Sequence, residues 1–472
     1  MHSTINTYRL LFWILLIVSS GKLIADPGRE FILDYATYME LVKTYHPVAV
    51  QAGLRPAEGD ALLLSSRGAF DPLLFSDISQ KYFDENQYYS IIQGGVEIPT
   101  WLGVEINAGY EINRGAYLNP EHNVPETGLW FAGLSIPLGR GLLIDKRRAE
   151  LRKAELYSQS AEFTRMAMIN ELLYNAGLTY IDWQRTFRAV QVYQEALDAV
   201  ESRLTIVRTW ALAGDTAPID TTEALIQVQN MTIALREAQL KFMQASADLN
   251  VFLWGEDRTP LELSPGVSPD TIELNVYLEN GDPELSLIEE RIQLHPEIRN
   301  LQIQMDQFEI DKRLIRESLK PEFDLKYNLL ARNGSDHLPE QVSFQNYNWG
   351  LQFSMPLFLR QARGRTQAVE LKIQNTELEY ATMTQTFQNK VLKAYNEWLT
   401  TNDQIDIYAE VVDNYKLLLD SEVELLRIGE SSLFLVNSRT AAYIQAQLKM
   451  IDLKVSNLKA RLMIEYYLAT LN

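Results

Sequence analysis

The sequence predicts a mainly helical, internally duplicated protein in which strands of membrane-barrel type lead into very long coiled-coil helices. Three observations carry that prediction. The chain repeats itself, its strands alternate strictly between apolar and polar residues, and its helical stretches run far past the length of an ordinary domain helix.

The duplication is read from matched positions. His46-Pro47 recurs as His295-Pro296. Trp130, Ala132, Leu134, Ile136 and Pro137 recur as Trp349, Leu351, Phe353, Met355 and Pro356, all offset by 219. Tyr180, Trp183 and Gly214 recur as Tyr395, Trp398 and Gly429, offset by 215. The difference of four residues is about one helical turn, which a helix absorbs with little change of face. Each repeat reads as helix, strands, a very long helix, a tight turn and a long return helix. The expected organisation is a secretory signal over 1–25, a first repeat over 26–254, a Gly/Pro/Ser/Asp-rich linker or equatorial segment over 255–283, and a second repeat over 284–472.

The strands have a period of two. Phe323, Leu325, Tyr327 and Leu329 share one face, and Asp324, Lys326 and Asn328 the other. Residues 349–355 alternate in the same way, and 101–112 alternates for twelve residues. A soluble sandwich alternates identically. Two features favour a membrane barrel. Some strands reach the roughly 9–11 residues that span a bilayer, and Trp101, Trp130 and Trp349 are expected to begin strands, where an interfacial aromatic girdle lies. The first repeat offers strands at about 74–82, 88–98, 101–112 and 129–136, whereas the second offers two, within 322–356.

The helices follow. From about Leu142 to Ala213 there is no proline and a single glycine, Gly177; from about Thr366 to Ile428 there is neither. Apolar residues from Phe387 through Val391, Ala394 and Trp398 to Leu419 alternate spacings of four and three, and Leu448, Ile451, Val455, Leu458 and Leu462 do so in the return helix. That period of 3.5 predicts a left-handed coiled coil. Ile407, Val411, Leu418 and Leu425 form a second stripe, so this helix can touch two neighbours, as a closed ring of helices requires. The hairpin turns fall at 213–218 and 428–432, with Gly214 and Gly429 as left-handed residues and Thr216, Ser431 and Ser432 as candidate N-caps.

Composition narrows the function classes. A net charge of −19 argues against nucleic acid, whose phosphates need a basic surface. The absence of cysteine excludes disulfides, thiolate metal sites and a cysteine nucleophile. Arg9 followed by an apolar run over 10–18 and small residues to Ala25 reads as a secretory signal. No other segment is continuously apolar over 18 residues, so membrane insertion of the mature chain requires a barrel. No catalytic constellation, cofactor motif or metal cluster is found, and an enzyme is not expected. His46 and His295 read as helix-start residues before proline, His122 and His337 as residues of strand connections, and Lys146-Arg147-Arg148 as a solvated start of the long helix.

Taken together, these residues resemble the TolC family of outer-membrane efflux proteins. The resemblance rests on the duplicated layout, on Ser-Ile-Pro-Leu-Gly-Arg-Gly (135–141) and Ser-Met-Pro-Leu-Phe (354–358) where strand passes to helix, and on the glycine-containing tips. It implies a homotrimer in outer-membrane lipid, with a shared β-barrel of 12 strands, four per protomer, continued by a coiled-coil tunnel in the periplasm. It also implies an export role in efflux or type I secretion, with a periplasmic adaptor (membrane fusion protein) and an inner-membrane transporter as partners. An outer-membrane-anchored coiled-coil tether or adhesin without transport is the alternative. The strand count leaves six strands per protomer, or a hairpin outside the barrel, open beside four.

The residues singled out follow from this frame. Gly214, Asp215, Asp220, Gly429, Glu430 and Ser431 are candidates for the periplasmic aperture, Pro137 and Pro356 for the strand-to-helix junctions, and Trp101, Trp130 and Trp349 for the membrane interface. Asp220 matches a family acid on the first hairpin. The corresponding second-hairpin positions carry Leu435 and Ser438, and Ser431 occupies the usual basic position. The tip acids read either as rings of like charge at the aperture or as carboxylates favoured by helix N-termini.

Overall fold

The computed structural model describes residues 31–264, 266–270, 288–334, 338–340 and 342–471. The expected signal, most of the linker after residue 270, and His337 lie outside the described residues. The chain forms two compact units: one of residues up to Leu54, Thr164–Pro296 and Met383 onward, the other of Arg55–Phe163 and Glu297–Thr382.

The first unit is helical. A short strand β1 (Phe31–Leu33) pairs in parallel with β6 (Val267–Pro269) inside the expected linker. Helix α1 (Tyr35–Tyr45), capped by Asp34, packs against the middle of the long helix α3 (Lys146–Ala213). The contact is aromatic and tied by hydrogen bonds. Tyr38 Oη donates to the Ala176 carbonyl at 3.3 Å, Tyr180 Oη to the Leu33 carbonyl at 2.7 Å, and Trp183 Nε1 to Ser246 Oγ at 2.9 Å. Burial holds the Tyr35 and Tyr38 phenols well above their usual range. Gly177 is the one glycine in this stretch for a reason: a Cβ there would lie 2.8 Å from Leu462 Cδ2 and 3.0 Å from Tyr35 Oη.

Return helix α4 (Pro218–Asn250) completes the first hairpin; α7 (Arg360–Arg427) and α8 (Leu433–Tyr467) form the second. Helices α3 and α7 each have 68 residues, about 100 Å of helix. The primary seam of α7 is buried at Phe387, Val391, Ala394 and Thr401, whereas Ile407 and Leu418 of the second stripe are exposed. The matched aromatics of the two repeats differ. Trp183 is fully buried; Trp398 is half-buried and receives the Arg461 guanidinium on its ring.

The two His-Pro pairs sit at breaks between consecutive helices. His46 separates α1 from α2 (Pro47–Arg67), and its Nδ1 accepts from the Val48 N–H at 3.2 Å. His295 separates α5 (Ile288–Gln293) from α6 (Pro296–Glu317), with its ring edge-on to Phe387.

The second unit carries the sheet. Strands β2 (Leu73–Phe83), β3 (Asn86–Pro99), β4 (Glu105–Arg114), β5 (Leu129–Pro137) and β7 (Glu322–Asn333) pair antiparallel in that order. Beyond β7 its outer edge is taken by β8 (Pro339–Glu340) at one end and β9 (Tyr347–Ser354) along the rest, so these two fill one strand position. Among the described residues the sheet therefore has six strand positions. Hairpins β4–β5 and β7–β9 are the repeat-related pair; β2–β3 is an addition in the first repeat. The strand expected over 101–112 begins at Glu105. Trp101–Val104 form the turn between β3 and β4, with Gly103 at positive φ, so Trp101 begins no strand. On the helical side of this unit, Lys153 pairs with Glu150 at 2.8 Å and Asp311 at 3.1 Å, and Ser160 donates to Asn300 at 3.0 Å, fastening α3 to α6.

Candidate functional sites: the hairpin tips and the amphipathic sheet

Both hairpin tips are built the same way. Gly214 stands at φ +84 and Gly429 at φ +82. In the first tip the Gly214 N–H donates to the Ala211 carbonyl and the Asp215 N–H to the Trp210 carbonyl. In the second, Gly429 donates to Leu426 and Glu430 to Leu425. This is the Schellman closure of a helix, which needs a left-handed residue that glycine adopts without strain. The matched repeat positions thus end both long helices by one mechanism.

The return helices differ in their start. Thr216 is not an N-cap, because the cap position falls one residue later, at Ala217, which offers no side-chain bond; Pro218 occupies the first turn instead. In the second tip Ser432 caps, accepting from the Leu435 N–H, and Ser431 instead donates its hydroxyl to Glu422. Glu422 also faces the Arg439 guanidinium at 3.6 Å. Asp215 and Glu430 are exposed at the turns; Asp220 is half-buried in the first turn of α4.

Within three turns of the tips lies a cluster that sequence reasoning missed. Leu204, Val207, Ala224 and Leu433 form a small apolar core. Beside it, Arg203 Nη1 donates to Asn437 Oδ1 at 3.3 Å and to Thr440 Oγ1 at 3.2 Å, while Asn437 Nδ2 donates to Glu223 Oε1 at 3.0 Å. Three helices, α3, α4 and α8, share this chain of bonds. Burial pulls the Arg203 pKa down from its usual range, so these neutral acceptors matter to it. A polar residue inside an apolar heptad stripe, Asn437 between Val436 and Thr440, was the available signal.

The strand registers sort the sheet into two faces. Tyr327 opposes Trp349, Leu325 opposes Leu351 and Phe323 opposes Phe353 on one face. Across the next pairs that face continues with Leu134 opposite Tyr327 and Ile106 opposite Leu134. The other face carries Asp324 opposite Gln352, Lys326 opposite Ser135, and Glu105 opposite Ser135. The sheet curls toward this polar face. A Cβ on Gly95 would run into the Ala108 carbonyl and lie 2.8 Å from Gly109 Cα, while on Gly109 it would meet Phe131 Cζ at 2.5 Å. Close approach of this kind is what a strand glycine permits. The apolar face is thus convex and the polar face concave, the arrangement of a water-filled membrane barrel.

The three tryptophans stand at different levels. Trp101 lies in the β3–β4 turn and stacks on Phe70. Trp130 is the second residue of β5, 5.0 Å from Tyr110, with Nε1 donating to Asn333 Oδ1 at 3.3 Å. Trp349 is the third residue of β9 and 61% exposed.

At the strand-to-helix junctions, Pro137 ends β5 and Pro356 follows β9. After Pro137 the chain stays beside β7, with Leu138 N–H donating to the Phe323 carbonyl at 2.7 Å and Arg140 N–H to the Pro321 carbonyl at 2.9 Å. The basic run Lys146-Arg147-Arg148 is more than a solvated helix start. Arg147 pairs with Glu105 at 2.5 Å. Arg148 folds back onto the carbonyls of Gly141 and Leu142 and onto Asp145 Oδ2, which lies 3.0 Å from its Nε. Among the described residues no group of histidines and acids is positioned to hold a metal, and no helix is long and apolar enough to cross a membrane.

Residues 287–469 match the family described as outer membrane efflux protein. That match covers the C-terminal part of the chain. No curated protein matches the sequence. The fold of the chain is similar to that of three solved structures. One is the outer membrane protein VceC of Vibrio cholerae (TM-score 0.65, 12% identity, 92% of this chain and 95% of that one). Another is the MtrE outer membrane channel of Neisseria gonorrhoeae in its open state (0.65, 13%, 92% and 88%). The third is the CmeC outer membrane channel of Campylobacter jejuni (0.63, 14%, 92% and 85%). At such identities the likeness is one of fold, that of an outer-membrane channel with a β-barrel and an α-helical tunnel.

Proposed function

We propose that this chain is an export channel of the outer membrane. It acts as a homotrimer, with its sheet in the lipid and its helical hairpins in the periplasm. Its tips dock on a periplasmic adaptor and an inner-membrane transporter, in a tripartite efflux or type I secretion system. The observation that carries the reading is the curled sheet with a convex apolar face and a concave polar one. Convex apolar side chains suit lipid, and a concave polar face suits a water-filled passage. Purified protein in planar lipid bilayers is expected to give discrete conductance steps. Membranes that stay silent with correctly assembled protein overturn the channel reading and leave the tether. For topology, a tag at Asn123 in the β4–β5 connection labels on intact cells, and a tag at Thr216 does not; the reverse pattern refutes the orientation.

A further inference from the structure

The six-stranded sheet has two open edges. On one side, among the described residues, β2 pairs with β3 alone, leaving its outer edge unpaired from Leu73 to Phe83. On the other, the outer edge of β9 has no partner strand among the described residues from Tyr347 to Ser354. Both edge strands are exposed, save at Phe75, and both carry the convex apolar face, Leu74 and Ile78 on one and Leu351 and Phe353 on the other. An unpaired row of backbone N–H and C=O groups cannot face lipid, because hydrocarbon offers them no replacement hydrogen-bond partner. The edges demand a partner, and each strand's chain direction makes the other edge of a second copy an antiparallel one.

The strand ends give the geometry. The base of the sheet steps in one direction. Leu73 lies opposite Glu97, two residues above Pro99. Pro99 and Glu105 are level. Glu105 lies opposite Ser135, two residues above Pro137, and Pro137 opposite Asp324, two above Glu322. Glu322 and Ser354 are level. Three steps of two residues across six strands amount to one residue of stagger per strand. With a rise of about 3.3 Å per residue and a strand spacing of about 4.8 Å, that stagger corresponds to a tilt of about 35°. Membrane barrels tilt by about 35–45°. The stagger therefore closes a barrel when the base of β2 meets the base of the neighbouring copy's β9 without a further large slip.

We infer that three copies close a single 18-stranded barrel, six strands from each, in which β2 of one copy pairs antiparallel with β9 of the next. The inference rests on the proposed trimeric channel. It departs from the twelve strands that the family resemblance implies. A 12-stranded barrel needs β4 as the edge that meets β9, and in this chain that edge is occupied by β3 from Ser90 opposite Arg114 down to Pro99 opposite Glu105. The β2–β3 hairpin also extends both faces of the sheet: Ile92, Val96 and Ile98 continue the apolar face, and Gln93 and Glu97 the polar one. An 18-stranded barrel is wide enough to leave an aqueous channel, as in porins.

The absence of native cysteines makes the test direct. With level bases, Ser79 of one copy opposes Asn348 of the next on the concave face. The double variant Ser79→Cys, Asn348→Cys in the full-length protein, oxidised or treated with a short bismaleimide in outer membranes, is expected to shift most of the monomer band to covalent dimers and trimers. Lys81→Cys with Asn348→Cys covers the neighbouring register. Glu111→Cys with Asn348→Cys is the pair that a β4–β9 contact joins, and it is expected to stay monomeric. Crosslinking of the Glu111 pair, or no crosslink from either β2 pair in a trimer intact on a native gel, overturns the 18-stranded barrel. A protein that forms no trimer on that gel fails at the proposed function itself, before the strand count is reached.

Discussion

Asn437 donates its side-chain N–H to the Glu223 carboxylate at 3.0 Å, tying the return helix of one hairpin to that of the other just behind the tips. The same carboxamide accepts from Arg203, so one residue satisfies a cation and an anion at once. Replacing it with leucine keeps the volume and removes both bonds, leaving two charged groups short of partners. Asn437→Leu is expected to cost about 1–3 kcal/mol. Because the loss is local, hydrogen exchange should speed up around Arg203, Glu223 and Thr440 while the Tyr38–Tyr180 core stays protected. Unchanged exchange at the tips refutes the coupling.

Arg148 is expected to be a structural residue of the barrel-to-helix junction. Its side chain is 12% exposed and reaches Asp145 and two carbonyls of the connecting loop. Arg148→Ala opens that loop at a cost of about 1–3 kcal/mol, whereas Arg147→Ala removes a more exposed pair with Glu105 and costs under about 1 kcal/mol. Thermal denaturation of the two variants side by side ranks them; equal midpoints contradict the assignment.

Stability is expected to fall in acid through His295. Burial lowers its pKa from 6.5 to about 4. Above about pH 6.5 the ring is neutral in both the folded and unfolded chain and contributes no pH dependence. Between about pH 6.5 and 4 the unfolded chain binds a proton that the folded one refuses, so stability drops as pH falls, by up to about 3 kcal/mol. His46 is shifted in the same direction by the same cause. Denaturant titrations of wild type and His295→Gln across that window separate this group from the carboxylates: the variant should show a shallower slope. Identical slopes reject it.

The parts of the fold legible in the sequence were those with a period. The matched Gly214 and Gly429, the 3.5-residue seam through Val391 and Ala394, and the alternation of β7 all depend on spacing, and all are realised. The sheet's extra hairpin was visible as an unequal strand count, but not where it sits, because alternation does not reveal which strands pair. Trp101 was misplaced for a related reason. Its alternation with Gly103 continues that of β4, yet Thr100–Val104 close a turn, the Thr100 N–H donating to the Val104 carbonyl. Thr216 was misread as a cap because caps are fixed by the turn geometry and Pro218, not by residue type alone. Arg203, Glu223 and Asn437 lie far apart in sequence, on helices whose mutual rotation only the packing sets.

Glycine substitutions are expected to separate two roles. At Gly214 and Gly429 there is open space for a Cβ, so alanine meets only the positive φ, costing about 1 kcal/mol at each tip. At Gly95 and Gly109 the added Cβ strikes backbone of the neighbouring strand and opposes the curl of the sheet. Gly95→Ala should sharply reduce trimer in the outer membrane, while Gly350→Ala, on the same face with no atom near its Cβ, should assemble as wild type. Equal yields for the two refute the curl argument.

Asp220 provides the test of the tips as an aperture. It sits in the first turn of α4, where the helix dipole favours a carboxylate by a few tenths to about 1 kcal/mol. In a trimer with the tips around a threefold axis, an inward-pointing Asp220 repeats as a ring of three like charges, which attracts cations and repels itself. Its counterpart in the second hairpin, Leu435, carries no charge, so that ring is not doubled by the repeat. Asp220→Asn keeps the shape of the side chain and removes the charge. We expect its single-channel reversal potential under a salt gradient to move toward that of an unselective pore, with a thermal midpoint close to wild type because the lost dipole term is small. Asp215→Asn and Glu430→Gln, at exposed turn positions, serve as comparisons. A purified Asp220→Asn trimer with unchanged conductance and reversal potential removes Asp220 from the aperture and leaves it as a carboxylate held by its helix N-terminus.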